Sequence, residues 1–361
     1  MSALAARLIE RIRAEGPISI AEYMRECNAH YYATRDPFGA AGDFVTAPEI
    51  SQVFGELIGA WCADYWERMG APDPVLLVEL GPGRGTLMVD ALRATKHVPG
   101  FHDALKLHLV EQSPVLRKLQ QEKLADYAPT FHDDTARLGF DDEVRNLPAG
   151  PLLVVANEFF DALPIMQFEQ HELQWYERLV AWEDERLVLR RAPHHLPEIP
   201  NGARPENEGK IRAISPALEQ AAEHIGVRLR RHGGAALIID YGYFPAALGD
   251  TLQALRHHRP VSILESPGEV DLTAHVDFAR LAQAGEHGRA QAHGPITQAQ
   301  FFIALGIAER ESALLKAASP AQQETIRGGV QRLIDPAQMG TLFKVLALTR
   351  QGGPIPAGFA A

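Results

Sequence analysis

Val75-Leu76-Leu77-Val78-Glu79-Leu80-Gly81-Pro82-Gly83-Arg84-Gly85-Thr86 is the stretch that decides the fold. Its first six residues, apolar except for Glu79, have the length of a buried strand, and a helix over 86–94 follows the glycines. Glycine permits the tight turn between them and lets a ligand approach the main chain closely. Three nucleotide readings compete. A phosphate-cradling P-loop ends in Gly-Lys-Ser/Thr, and Gly85-Thr86 has no lysine. A dinucleotide fingerprint runs G-x-G-x-x-G, whereas these glycines run G-x-G-x-G, which disfavours an NAD-dependent oxidoreductase. Glu79 adds that an anionic strand end opposes a pyrophosphate and suits a cation. S-adenosylmethionine carries an ammonium and a sulfonium and no phosphate. Glu79, Gly81, Gly83, Gly85 and Thr86 are therefore candidate cofactor residues, against the plainer reading of a strand-to-helix turn with no ligand.

Working outward, short apolar runs alternate with helical segments. Strands are expected over 75–80, 105–111, 130–132, 151–156, 235–240 and 342–348, and helices over 86–94, 114–126, 271–284, 298–305 and 321–333. Strands separated by helices imply a mostly parallel sheet covered on both faces. Ligands bind such a sheet beyond the carboxyl ends of its strands. The second strand ends at Glu111, 26 residues beyond Gly85, where a carboxylate can accept hydrogen bonds from both ribose hydroxyls. Between the fourth and fifth strands, 167–191 alternates apolar and polar residues with Glu183-Asp184-Glu185 at a turn, so an antiparallel insertion is expected over about 165–215. The first 72 residues read as a helical extension or lid, with a capping box at Ser19 and Glu22. Thr46-Ala47-Pro48-Glu49 opens a long helix running to about Met69. The core domain then spans 73–350.

The composition excludes several classes. With 35 basic against 46 acidic side chains the net charge is −11, which makes a nucleic acid a poor substrate and a basic protein segment an easier one. No apolar run approaches the roughly 18 residues that would span a bilayer. The two cysteines, Cys27 and Cys62, lack metal-ligand spacing, and neither they nor the histidines form a metal pattern. A reducing compartment follows. Residues 1–12 form an amphipathic helix without a secretory core, and Glu10 and Glu15 interrupt its arginines, so the cytoplasm is favoured over the mitochondrial matrix.

Candidate acceptor residues stand at the end of the fourth strand, Asn157 and Glu158, with Asp161 next. A carboxylate there can hold a cationic group through bidentate hydrogen bonds. The alternative is a capped turn. Glu169, on the hairpin, is a weaker second carboxylate. His275 is a candidate base oriented by Asp277, although Thr273-Ala274-His275-Val276-Asp277 also reads as a plain helix start capped by Thr273. Asp43 or Thr46 could bind the cofactor's amino-acid end with Phe44 as a shield, or the segment is simply a cap and loop.

The segments Gly42-Asp43-Phe44-Val45-Thr46-Ala47-Pro48-Glu49-Ile50-Ser51, Glu79 through Thr86, Asn157-Glu158-Phe159-Phe160-Asp161-Ala162-Leu163-Pro164 and Leu333-Ile334-Asp335-Pro336 resemble the MidA-like family. That family includes a mitochondrial complex I assembly factor that is a protein arginine methyltransferase. The resemblance runs from about 17 to 348, departing at Asn28-Ala29-His30-Tyr31-Tyr32, where relatives tend to carry a longer segment ending Gly-Tyr-Tyr. It implies a class I methyltransferase fold, Rossmann-like with a seven-stranded sheet, and S-adenosylmethionine at the glycine turn and Glu111. It further implies an arginine in a protein substrate such as a complex I subunit, with a homodimer as a further expectation. Two other readings stay open: a non-catalytic assembly or chaperone factor on the same fold, and a small-molecule methyltransferase.

Overall fold

A computed structural model describes residues 2–34, 46–133, 147–196, 204–256 and 259–359. Asp43 and Phe44 lie outside the described residues. Two compact units emerge: Met1–Arg35 with Asp161–Leu218 and Ala246–His275, and Asp36–Phe160 with Glu219–Pro245 and Val276–Ala361. The expected extension over 1–72 is thus shared between them.

The second unit is α/β with a mixed sheet. Its main strands are β1 (Val75–Leu80), β2 (Leu105–Val110), β3 (Thr130–His132), β4 (Leu152–Asn157), β5 (Gly234–Tyr243), β6 (Ala290–Thr297) and β7 (Phe343–Arg350). They lie in the order β3-β2-β1-β4-β5-β7-β6. β1 to β5 are mutually parallel, and β7 runs antiparallel to both β5 and β6. Every residue of β1 and β4 is buried, as expected of strands covered on both faces. Between β2 and β3, His108 Nδ1 and His132 Nε2 share a hydrogen bond of 3.0 Å, and burial holds His108 down at about pKa 4. Both rings are therefore neutral at physiological pH, and the bond ties the strands together just where Glu111 N donates to His132 O.

Two expected elements change. The helix from Thr46 to Met69 is two helices, Ala47–Ile50 and Gln52–Arg68, because Ser51 adopts extended backbone (φ −153°) and its hydroxyl caps the second by accepting from Val53 N. Phe278–His287 replaces the helix expected over 271–284, since Asp277 rather than Thr273 caps it and Asp271–Thr273 is a strand. β6 was not anticipated: Gly294-Pro295 interrupts its pattern, and its pairing with β7 shifts register between His293 and Ile296.

In the first unit the expected hairpin is present. Met166–His171, Gln174–Glu183 and Arg186–Leu196 are antiparallel neighbours, and the turn residues Asp184 and Glu185 both have positive φ (48° and 59°), the two-residue turn that suits strand twist. Helices Ala3–Glu15 and Ile20–Thr34 bury Leu4, Leu8, Ile12, Tyr23 and Met24 with Val180 and Leu272. Ser19 and Glu22 form the expected reciprocal cap. Among the described residues, no helix is long and apolar enough to cross a membrane.

Close packing sets a stability test. Helices Gln52–Arg68 and Thr86–Thr95 approach so closely at Gly59 that a Cβ there would lie 2.5 Å from Ala91 O. Gly59→Val should cost about 1–3 kcal/mol by overpacking. It should appear as a lower urea midpoint at unchanged slope; an unaltered midpoint would contradict this packing.

Candidate functional site

The glycine turn joins β1 to the helix Thr86–Thr95. Gly81, Gly83 and Gly85 have φ of 63°, 53° and 73°, left-handed conformations that explain why glycine recurs at alternate positions. Gly81 N donates to Val110 O, which fastens the turn to the end of β2. A Cβ on Gly81 would meet the Phe159 ring at 3.0 Å. Glu79, Gly81, Gly83, Thr86, Asn157 and Glu158 line one cleft together with Thr46.

Glu79 points into a dry environment at 2% exposure, and its Oε2 has no hydrogen-bond partner among the described residues. Burial, with the Glu111 carboxylate behind it, pushes its pKa up to about 8. Glu111 is also buried and shifted upward by burial. Its carboxylate accepts from Ser113 N (2.8 Å) and from Gln120 Nε2 (3.1 Å), and the same Gln120 amide donates to Gly83 O (2.6 Å). These bonds leave acceptor capacity on the carboxylate for hydroxyl donors. Gln120 was not foreseen; a polar side chain on the buried face of its helix was the available signal.

Thr86 does not present a free hydroxyl. Its Oγ1 donates to Glu49 Oε1 at 2.5 Å, and Arg84 approaches the other Glu49 oxygen at 4.0 Å. Glu49, read from sequence only as a helix-start charge, therefore helps to shape the cleft. Thr46 caps Ala47–Ile50 without a side-chain bond.

At the end of β4, Asn157 Nδ2 and Ala47 N both donate to Glu158 Oε1, each at 3.3 Å. Only the amide NH₂ can face a carboxylate, which leaves Asn157 Oδ1 as the buried acceptor with no hydrogen-bond partner among the described residues. Glu158 sits at φ 47°, a cost of about 1–3 kcal/mol for a residue with a side chain. Its N–H donates to Ile239 O, and the next two amides, of Phe159 and Phe160, donate to Asp240 Oδ2 at 3.2 and 3.0 Å. Asp240, fully buried in β5 just past the last residue paired with β4, escaped the sequence reading because it stands 82 residues from Glu158.

Of the remaining candidates, Asp161, His275 and Glu169 belong to the first unit and Asp277 to the second. Asp161 is buried, and its carbonyl accepts from Ala274 N. His275 is half-buried and follows Ala274. Asp277, expected to orient it, uses Oδ1 to cap a helix through Ala279 N and Arg280 N. Glu169 lies on the hairpin sheet, 3.9 Å from Arg191. Asn28 accepts from Leu272 N and donates to the carbonyls of Leu272 and Ala162, so the departing segment 28–32 starts on a structural knot. No group of three or more metal-ligating side chains occurs among the described residues.

Unsatisfied acceptors at Glu79 and Asn157 fit a ligand that brings donors and positive charge. A family model described as "Putative S-adenosyl-L-methionine-dependent methyltransferase" matches residues 57–296, more than half of the chain. The chain belongs to this methyltransferase family. It is similar to the Drosophila melanogaster "Protein arginine methyltransferase NDUFAF7 homolog, mitochondrial", 39% identical over 96% of this chain and 84% of the relative. The Danio rerio protein arginine methyltransferase NDUFAF7, mitochondrial, is 36% identical over 94% of this chain and 85% of its own. A Burkholderia thailandensis protein crystallised with S-adenosyl-homocysteine bound shares 28% identity at a TM-score of 0.83, covering 99% of this chain and 94% of that one. The methyltransferase thus uses S-adenosylmethionine, as the glycine turn suggested. The expected cytoplasmic location is corrected: these relatives are mitochondrial by name, and interrupting acidic residues near the N-terminus were a poor guide.

Glu79 gives the cofactor site a pH signature. Its carboxyl keeps its proton below about pH 8 in the free methyltransferase and ionises when a cation arrives. Calorimetry at pH 6.5 in buffers of different ionisation enthalpy should show S-adenosylmethionine binding release close to one proton. Glu79→Gln should abolish that release. A raised folded-state pKa also means that this group's contribution to stability falls as pH rises from its unfolded value toward 8. Proton release unchanged in Glu79→Gln would refute the assignment.

Proposed function

We propose that the methyltransferase modifies an arginine nitrogen of a protein substrate, with Glu158 as the acceptor clamp. The observation that carries this reading is the Asn157–Glu158 edge, which lines the same cleft as Glu79 and the glycine turn. The names of the relatives favour arginine over other nitrogens. The family resemblance favours a respiratory complex I subunit as the protein that carries it.

S-adenosylmethionine supplies an electrophilic methyl group on its sulfonium. Glu79 and the backbone of Gly81 to Gly85 hold the amino-acid end, and Glu111 takes the ribose. Glu158 draws guanidinium charge to one side, leaves a nitrogen toward the methyl carbon and accepts the proton which that nitrogen sheds after methylation. Asn157 steadies Glu158 through its NH₂. Thr46 lines the cleft as a secondary cofactor group. Asp161 and His275 rank behind Glu158, which lines the cleft with Glu79 and the glycine turn.

The strand order β3-β2-β1-β4-β5-β7-β6, with β7 antiparallel, supports the class I layout of seven strands. The separate antiparallel sheet formed between β4 and β5 in sequence supports reading about 165–215 as an insertion.

Purified methyltransferase, tritiated methyl donor and an extract of cells lacking the gene should yield labelled Nω-methylarginine on hydrolysis of a protein band. Glu158→Gln should lower the rate about a hundredfold or more while keeping cofactor affinity within about threefold. Gly83→Val, forced to positive φ, should abolish cofactor binding. Label recovered only in small molecules, or full transfer by Glu158→Gln, would defeat the proposal.

A further inference from the structure

We infer that Asp240 is a positioning residue for methyl transfer: its buried carboxylate holds the chain after β4 in the conformation that aims Glu158 into the cleft. This rests on the reading of Glu158 as the acceptor clamp. Four main-chain bonds define the corner. Glu158 N reaches Ile239 O at 2.9 Å, Phe159 N and Phe160 N reach Asp240 Oδ2 at 3.2 and 3.0 Å, and Tyr241 N reaches Asp240 Oδ1 at 2.9 Å. One anion thereby joins two neighbouring strand ends. Consecutive amides pointing at one oxygen require the chain to turn sharply at the residue before them, and that residue is Glu158, at φ 47°.

An ordinary turn would place glycine or asparagine at such a φ. Here a glutamate occupies it, so the strain is imposed by the surroundings rather than chosen by local preference. The turned backbone delivers Oε1 to within 3.3 Å of both Ala47 N and Asn157 Nδ2. The same turn sets Phe159 against Gly81. Asparagine at position 240 could accept through one oxygen only. Its NH₂ would face N–H groups, and the corner would relax away from the left-handed conformation.

The test combines Asp240→Asn, Glu158→Gln and the double variant, with the tritium transfer assay on extract proteins as activity readout. S-adenosylhomocysteine affinity by calorimetry serves as the control for a folded cofactor site. Asp240→Asn should bind S-adenosylhomocysteine within about threefold of wild type yet transfer methyl at least tenfold more slowly. In the Glu158→Gln background the same change should cost less than twofold, because the group it positions is already lost. Equal losses in both backgrounds would overturn the inference and leave Asp240 a purely structural residue. Full activity of Glu158→Gln would instead sink the clamp reading on which it rests, a separate outcome. Should Asp240→Asn fail to bind S-adenosylhomocysteine, Asp240→Glu takes its place: it keeps the charge but shifts the carboxylate by one methylene, and the same non-additive loss is expected.

Discussion

A carboxyl group closed off from water at the end of the central strand β1 constrains everything built around it. Glu79 cannot be hydrated there, and its Oε2 meets no donor among the described residues. Such a group either keeps its proton or meets a cation. The second buried carboxylate, Glu111 on the adjacent strand, makes ionisation harder still. The parallel sheet thus creates a position in which a carboxyl group keeps its proton, and a cationic ligand there would favour its ionised form. The glycine turn answers the same demand from the backbone side, by removing the side chains that would keep such a ligand at a distance.

Two kinds of left-handed backbone meet at this cleft, for opposite reasons. At Gly81, Gly83 and Gly85 the conformation comes with little strain because nothing but hydrogen stands on Cα, and the space is left for the ligand. At Glu158 the conformation is adopted in spite of a side chain, and that side chain lines the cleft. A strain of about 1–3 kcal/mol is comparable with one or two charge-assisted hydrogen bonds, and Asp240 supplies two to the adjoining amides.

This difference explains what could be read without coordinates. β1, the glycine turn, Glu111, β4 and the hairpin turn at Asp184-Glu185 are all written in contiguous residues, by periodicity or by the backbone demands of glycine and turn positions. The break at Ser51 is not. Thr46 to Met69 carries a continuous helical pattern, and the interruption coincides with the approach of a distant helix, Pro320–Ile334, where a Cβ on Gly329 would lie 2.9 Å from Ile50 O. β6 was hidden for a related reason: its weakly apolar sequence is held by pairing with β7 rather than by local preference. Asp277 shows how motif chemistry leaves two roles open, since a carboxylate near a histidine is equally a helix cap, and its Oδ1 caps Phe278–His287.

The glycine-turn side of the cleft is accordingly local in sequence, whereas the Asn157–Glu158 edge is held by Ala47 and Asp240, which are distant in sequence. Net charge could not have bridged that gap. A total of −11 acts on encounter with a partner, over distances that physiological salt limits to roughly 8 Å per Debye length. Recognition of one nitrogen among many depends instead on the groups that line the site, and a buried carboxyl such as Glu79, which keeps its proton near neutral pH, counts in the formal total without presenting charge to a passing substrate. Acidity of the chain and acidity of the site are therefore separate facts, and only the second bears on which atom receives the methyl group.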